Sequence, residues 1–150
     1  MTKFKTPFLA AAVLGAAVSA PLAAAPLCED LGFAGLLASC NRGDDIALTL
    51  AAGVPLGEDV TLESGAYYTL VITADGSAEL AVTGAEFFRS IWMNEIVIDD
   101  IEIRPMAIDS IEFDEAGTAE LSFVAIKPGT HSLRIPGSTG ETQQMKITIK

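Results

Sequence analysis

The sequence has few of the side chains from which catalytic and metal centres are usually built. Its 150 residues include one histidine, two cysteines and one tryptophan. One histidine excludes any site that takes two imidazoles from a single chain. The sequence contains neither a Gly-x-Ser-x-Gly elbow nor a glycine-rich phosphate loop, because its 13 glycines are dispersed at turns. We therefore expect a protein that is not an enzyme and has no resident cofactor.

Positive charge is also scarce. Nine lysines and arginines stand against 20 acidic residues, which gives a formal charge of −11 and an isoelectric point near 4.3. This excess of negative charge disfavours nucleic acids and anionic membrane surfaces as partners. A basic protein partner or a cation is compatible with it, and so is a simple role in the solubility of an exported protein.

The first residues have the composition of a secretory signal peptide. A short basic start precedes the apolar stretch "FLAAAVLGAAVSAPLAAA" at residues 8–25. A transmembrane anchor is the alternative, but the stretch is rich in alanine, is broken by Pro21 and has no basic flank after it. We expect residues 1–25 to be a signal peptide cut between Ala20 and Ala25, and the protein to be periplasmic. Cleavage removes two lysines, so the exported chain has a formal charge of −13.

Residues 26–45 form a separate N-terminal segment that holds both cysteines, in "CEDLGFAGLLASC". In an exported protein a close isolated pair predicts a disulfide, here between Cys28 and Cys40. A c-type haem site would need Cys-x-x-Cys-His, which is absent. "LASC" resembles the box before a lipidated cysteine, but Glu29 and Asp30 interrupt the apolar run that such a box requires.

Residues 46–150 alternate between apolar and polar side chains, as half-buried strands do. "DVTLE" and "MKITIK" show this period, and Asp75-Gly76 between two alternating runs predicts a β-hairpin. The exception is "GAEFFRSIWMNE", which could hold a turn or two of helix. Short strands with glycine and proline at the turns predict an all-β domain, either an antiparallel sandwich or a barrel.

The alternation changes phase once, in "EIVIDDIEIRP". Ile96 and Ile98 share one phase, and Ile101 and Ile103 share the other. The shift at Asp99-Asp100 predicts a β-bulge or a strand that changes sheets. These carboxylates do not follow the spaced pattern of a calcium loop.

The region from about Tyr67 to Lys150 resembles the cupredoxin superfamily. The likeness is carried by "EAGTAELSFVAIKPGTHSLRIPG" and the last run "MKITIK". In that family an apolar strand leads to Pro-Gly-Thr-aromatic, then to a strand with the copper cysteine and a loop with histidine and methionine. Here the Pro128 to Thr130 turn is present and His131 takes the place of the aromatic. The resemblance implies a Greek-key β-sandwich.

The copper ligands of the family are missing from the matching positions. "SLRIPG" has no cysteine and the loop after it has no histidine. Since blue-copper sites need one thiolate and two imidazoles, a type-1 copper site is not expected. Soft thioether and imidazole donors would suit a periplasmic Cu(I) carrier, which is the alternative function. Its donors would be Met93, Met106, His131 and Met145; the competing interpretation treats the methionines as core residues.

An interaction role is the function that we expect from the sequence. Aromatic residues and arginine, which are enriched at the centres of protein interfaces, cluster in one segment. The predicted interface consists of Phe87, Phe88, Arg89 and Trp92. Alternatively, the large side chains close one end of the sandwich, and for Trp92 burial is the preferred expectation. The chain is thus predicted to be an exported accessory or binding protein with a periplasmic protein partner and without stable membrane insertion after leader cleavage.

Overall fold

Ten strands form two five-stranded sheets in the computed structural model, which describes residues 26–150. The predicted signal peptide, residues 1–25, lies outside the described residues. The strands are β1 (Ile46–Leu50), β2 (Val60–Leu62), β3 (Tyr67–Ala74), β4 (Leu80–Thr83), β5 (Ile91–Ile98), β6 (Ile101–Ile103), β7 (Ser110–Phe113), β8 (Gly117–Ala125), β9 (Gly129–Arg134) and β10 (Gln144–Ile149). One short helix, α1 (Ala85–Phe88), lies within the segment where a helical turn is predicted, and 3-10 turns span Gly32–Leu37, Ser39–Asn41 and Glu141–Gln143.

The strand order is β1-β3-β8-β5-β6 in the first sheet and β2-β10-β9-β4-β7 in the second. The edge strands β1 and β2 run parallel to their neighbours β3 and β10, whereas the other strand pairs are antiparallel. The predicted β-sandwich is confirmed, with mixed rather than wholly antiparallel sheets.

The core lies between the two sheets and follows from the alternation of side chains. On β8, Leu121 and Phe123 are fully buried against the second sheet, and on β10 of the second sheet Ile147 is fully buried against the first. Phe87 of α1 meets Phe123 edge-on, with ring centroids 5.4 Å apart. Each fully buried side chain of this size contributes roughly 1.5–3 kcal/mol to folding, so the apolar alternation accounts for the association of the sheets.

The turn at Asp75-Gly76 is present, but the predicted hairpin is wrong. Gly76 adopts a left-handed conformation (φ 72°), as the turn signal requires. Hydrogen bonds from the hydroxyl and backbone N–H of Ser77 hold the pKa of Asp75 below its ordinary value. However, β3 belongs to the first sheet and β4 to the second. Since β3 is already paired on both sides, with β1 and β8, it has no free edge for β4.

The shift in alternation at Asp99-Asp100 is a two-residue turn. β5 and β6 form a hairpin in which Ile98 pairs with Ile101, and Asp99 takes a left-handed φ of 52°. Aspartate tolerates this conformation better than most residues. Both predicted alternatives, a bulge here and a change of sheet, are therefore wrong. The irregularity in this strand lies earlier, between Met93 and Glu95.

The N-terminal segment is held by a disulfide and by one buried amide. Cys28 and Cys40 are bonded as predicted, with Cα atoms 5.9 Å apart. Asn41 is fully buried: it accepts a hydrogen bond from the Leu27 N–H and donates to the carbonyls of Leu36 and Gly65. A buried polar group left without partners costs about 1–3 kcal/mol. Because the Asn41 amide finds its partners in both the N-terminal segment and Gly65 of the sandwich, it links the two.

The carboxylate of Asp59 joins the start of β2 to β10. Its two oxygens meet the backbone N–H of Lys146 at 2.7 Å and the Lys146 Nζ at 2.9 Å. The backbone hydrogen bond first, and then the ammonium group, hold the pKa of Asp59 below its ordinary value of 3.8. This contact supports the parallel pairing of a three-residue edge strand.

Gly76 and Gly53 both have left-handed backbones, but only Gly76 is crowded by neighbouring atoms. Comparing them separates the effect of this crowding from that of backbone strain. A Cβ atom at Gly76 would lie 2.9 Å from the Ala116 nitrogen, whereas one at Gly53 (φ 74°) would meet no atom within 4 Å. We expect Gly53→Ala to lower the free energy of unfolding by about 1 kcal/mol through backbone strain alone. Gly76→Ala should lower it by roughly 2–4 kcal/mol, because the backbone must also move. Urea denaturation checks this, and equal losses in both variants would contradict the contact.

The Asp59 contact predicts a pH-dependent stability. Because the folded pKa is lowered, its stabilisation is complete above the ordinary pKa and is lost as the pH falls through the folded value. We expect Asp59→Asn to lower the Tm at neutral pH, with a difference that is constant above about pH 5 and shrinks below pH 3.8. Circular dichroism melts over a pH series measure this, with Glu58→Gln as the control. A difference that persists undiminished in acid would show that the carboxylate charge is not responsible.

Candidate functional site

The four predicted metal donors are not gathered at one place. Met145 is buried in the core, Met93 is half-buried on β5 in the other sheet, and Met106 is fully exposed in the loop after β6. His131 lies on β9 opposite Ile147, so it is a diagonal neighbour of Met145 on the adjacent strand. The fold thus brings two of the four donors near each other and separates the other two.

The residues present do not fit a type-1 copper site. Both cysteines are bonded to each other and so supply no thiolate. The connection from β9 to β10, residues 135–143, contains no cysteine, histidine or methionine. His131 is at the start of β9, away from that connection, with its Nε2 3.4 Å from the carbonyl oxygen of Lys127. These residues therefore do not support the electron-transfer chemistry of a type-1 copper centre.

An acidic group is found at one edge of the second sheet. Within residues 26–150, the oxygens of Glu79, Glu112 and Asp114 lie within 4.8 Å of one another, and all three residues are exposed. Such groupings are expected on the surface of a strongly acidic protein. We assign no ion to it.

The four residues of the predicted interface have different environments. Phe87 and Phe88 are buried in the core, so they cannot contact a partner, whereas Arg89 is exposed. The preferred expectation for Trp92 is wrong: the side chain is 50% exposed. Trp92 pairs with Val124 and faces away from the second sheet, because the residues on either side of Val124 point inward. Burial on that outer face is incomplete at the position of Trp92.

Exposed apolar side chains of the sandwich are grouped on a different surface. The group follows the β5–β6 hairpin and is here called the β6 strip, comprising Ile98, Ile101 and Ile103. Ile101 is 64% exposed although it lies in a strand. Exposed apolar side chains are common singly, but a contiguous group along one strand is typical of interaction sites.

The register explains why the β6 strip is exposed. Ile103 pairs with Ile96 and Ile101 pairs with Ile98, so these side chains lie on one face of the sheet. Ile96 is buried in the core, which identifies that face as the inner one. The hairpin therefore extends beyond the area that the second sheet covers. β6 is also the last strand of its sheet, so its outer main-chain edge is unpaired within the described residues.

The charges beside the β6 strip are mostly negative. Asp99 and Asp100 form the turn, and Glu102 projects from the opposite face of β6. Arg104 is bound to Glu95 at 3.0 Å and to Glu102 at 3.1 Å, so the nearest positive charge is already paired. The rim of the β6 strip is therefore acidic.

The β6 strip was not predicted from the sequence. The signal was the phase change at Asp99-Asp100, which is consistent with a turn as well as with a bulge. Recognising the turn would have placed Ile101 and Ile103 on a short strand after a hairpin. β6 has no second neighbour because it is the last strand in the sheet order. Nothing in the sequence near β6 indicates this position.

A cleft of about 510 Å³ lies at the opposite side of the sandwich, between the edge strands β1 and β2. Arg42, Asp44 and Asp45 line it together with Tyr68. Arg42 is also placed over the ring of Tyr67, 4.5 Å from its centroid. The guanidinium is thus occupied by an aromatic contact, and the cleft is left with two carboxylates near its opening.

None of the helices between residues 26 and 150 has the length and apolar character needed to cross a membrane. The disulfide is compatible with an oxidising compartment.

Comparison with known proteins supports the fold only. No protein-family model matches the sequence, and no curated protein is significantly similar to it. Among solved structures, the blue copper oxidase from Nitrosomonas europaea is similar with a TM-score of 0.51 and 11% identity, over 70% of this chain and 43% of that one. The multicopper oxidase from Campylobacter jejuni has a TM-score of 0.49 and 7% identity, over 73% and 30% of the two chains. The laccase from Botrytis aclada has a TM-score of 0.48 and 12% identity, over 71% and 28%.

The chain spans less than half the length of each of these structures. At such low identity the likeness does not extend to an activity. Two facing five-stranded sheets, together with the similarity to the blue copper oxidase, show that this chain has the cupredoxin-like fold.

Proposed function

We propose that this chain is an exported, non-catalytic binding or accessory protein that holds a protein partner along the β6 strip. The observation that supports this function is the exposure of Ile101 and Ile103 on a strand whose outer edge is unpaired within residues 26–150. Such an edge can accept an added strand by main-chain hydrogen bonds, while the side chains give specificity. An exported, periplasmic location is supported by the composition of residues 1–25 and by the disulfide.

The partner segment should be extended, apolar on one face and basic. Extension follows from the geometry of strand addition, which needs a free row of backbone N–H and C=O groups. Apolar side chains are needed to cover the β6 strip, and basic ones would offset Asp99 and Asp100. Two copies of this chain would repel each other through their charge of −13, so a different protein is the better partner.

Photo-crosslinking can test this proposal. A p-benzoyl-phenylalanine at position 101 should crosslink to one discrete protein in exporting cells, whereas the same group at position 54 should not. Val54 is a suitable control because it is an exposed apolar residue away from the β6 strip. The absence of a specific crosslink at position 101 would contradict the proposal.

The captured protein, once purified, provides a quantitative test. We expect Ile101→Lys to weaken binding at least roughly tenfold, because a charged side chain replaces a buried apolar contact. Val54→Lys should leave the Kd unchanged. Equal affinities for wild type and Ile101→Lys, measured by isothermal titration calorimetry, would place the contact elsewhere.

A second candidate function is transport of Cu(I). The observation that favours it is the diagonal placement of His131 and Met145 on β9 and β10. Imidazole and thioether donors suit Cu(I). Met106 and Met93 are not near this pair in the sheet order, so a carrier of this kind would bind the ion with few protein donors.

A Cu(I) competition titration distinguishes the two functions. If the chain carries copper, one equivalent should bind, and His131→Ala should abolish the binding while Met106→Leu leaves it intact. Met106 is the appropriate control because it is an exposed methionine in the connection between β6 and β7, outside β9 and β10. Binding no stronger than background in the wild-type protein would eliminate the carrier function.

A further inference from the structure

The N-terminal disulfide loop exposes apolar side chains that the sandwich does not cover. None of the residues in the turn Gly32–Leu37 is buried, and the ring of Phe33 is fully exposed (110%). Leu36 and Leu37 are exposed beside it. These three residues are called the loop tip. Three large apolar side chains at the end of a covalently closed loop are costly to keep in water, which indicates that they have an apolar environment to enter.

The backbone of the loop is anchored to the domain through the Leu36 carbonyl, which accepts a hydrogen bond from Asn41, while the apolar side chains remain exposed. Gly32 and Gly35 have left-handed φ values of 54° and 58°, and a Cβ atom at either position would meet nothing within 4 Å. The base is fixed by the Cys28–Cys40 bond and by the buried Asn41. The loop is therefore preorganised, which reduces the conformational entropy lost on binding.

Polar groups are confined to the base of the loop. Residues 31–38, "LGFAGLLA", carry no polar side chain. Glu29 and Asp30 precede them, and the Asp30 carboxylate accepts the Gly32 N–H at 3.0 Å. Within the turn, the Ala38 N–H donates to the Gly35 carbonyl at 3.0 Å. An apolar end with internally bonded backbone and charges behind it suits the boundary between lipid headgroups and acyl chains.

We propose that the loop tip inserts reversibly into the headgroup region of a zwitterionic bilayer and holds the exported domain at a membrane surface. A protein groove is less suited, because residues 31–38 carry no polar side chain that could make the directional hydrogen bonds of a protein interface. Anionic lipids should oppose the contact, because the exported chain has a charge of −13. This contact is independent of the β6 strip and requires no spanning segment.

Vesicle flotation tests the proposal. The exported protein, with leader removal confirmed by mass spectrometry, should float with POPC vesicles and float less with POPC–POPG vesicles. Phe33→Ser should weaken partitioning roughly tenfold, and Phe33→Ser combined with Leu36→Ser and Leu37→Ser should abolish it. The controls Val54→Ser and Ile101→Ser remove exposed apolar residues elsewhere and should float like the wild type.

Insertion can also be observed directly at the tip. Phe33→Trp in a Trp92→Phe background places the only tryptophan in the loop tip. Its emission should shift to shorter wavelength with POPC vesicles and be quenched by brominated lipid. Because Phe33 makes no core contact, circular dichroism should show unchanged folding. Failure of the wild type to float, flotation of the triple variant, or a tryptophan insensitive to brominated lipid would each overturn the proposal.

Discussion

The first sheet is built outward from the antiparallel pair β3 and β8, because β1 pairs with β3 and β5 pairs with β8. Eight residue pairs join the two strands, from Tyr67 with Val124 to Ala74 with Gly117. Their inner faces supply Leu70 and Leu121 to the core between the sheets. Their outer faces contribute Tyr67 and Val124, which are buried although they lie outside that core. β8 also positions β5 on its other side, so the hairpin that carries the β6 strip is ordered through the same strand.

Both exposed apolar surfaces lie at parts of the chain that the packed sheets do not cover. The first sheet continues through β5 to β6 beyond the reach of the second sheet, so inner-face isoleucines come to the surface. The N-terminal loop is anchored by Asn41, but none of the residues in its turn Gly32–Leu37 is buried. In each case the backbone is well fixed and the side chains are free. This combination of rigid support and exposed apolar area is characteristic of binding surfaces, because little order has to be gained on association.

This chain has the cupredoxin-like fold but lacks the ligands of a blue-copper site. The β9–β10 connection is built from small and polar residues around Pro136, Gly137 and Gly140, and the cysteines are used at the far N-terminus for a structural bond. Function has to be sought in the sites that this scaffold carries and not in the scaffold itself. In our two proposals, the loop tip contacts a membrane and the β6 strip contacts a protein.

The local features could be predicted from the sequence: the strands, the disulfide between Cys28 and Cys40, the helical turn before β5 and the left-handed turn at Gly76. These depend on side-chain period, residue chemistry and backbone sterics within a few residues of each other. The placing of β3 and β4 in different sheets, the edge position of β6 and the half-exposure of Trp92 emerge only from the assembled sandwich. Those outcomes depend on which strands pair with each other in a sheet. Several segments that are distant in sequence could pair at the same strand edge, so the local sequence does not decide the pairing. For the same reason the predicted interface at Phe87 and Phe88 is core, while the exposed surface lies at Ile101 and Phe33, whose residue types alone predict burial.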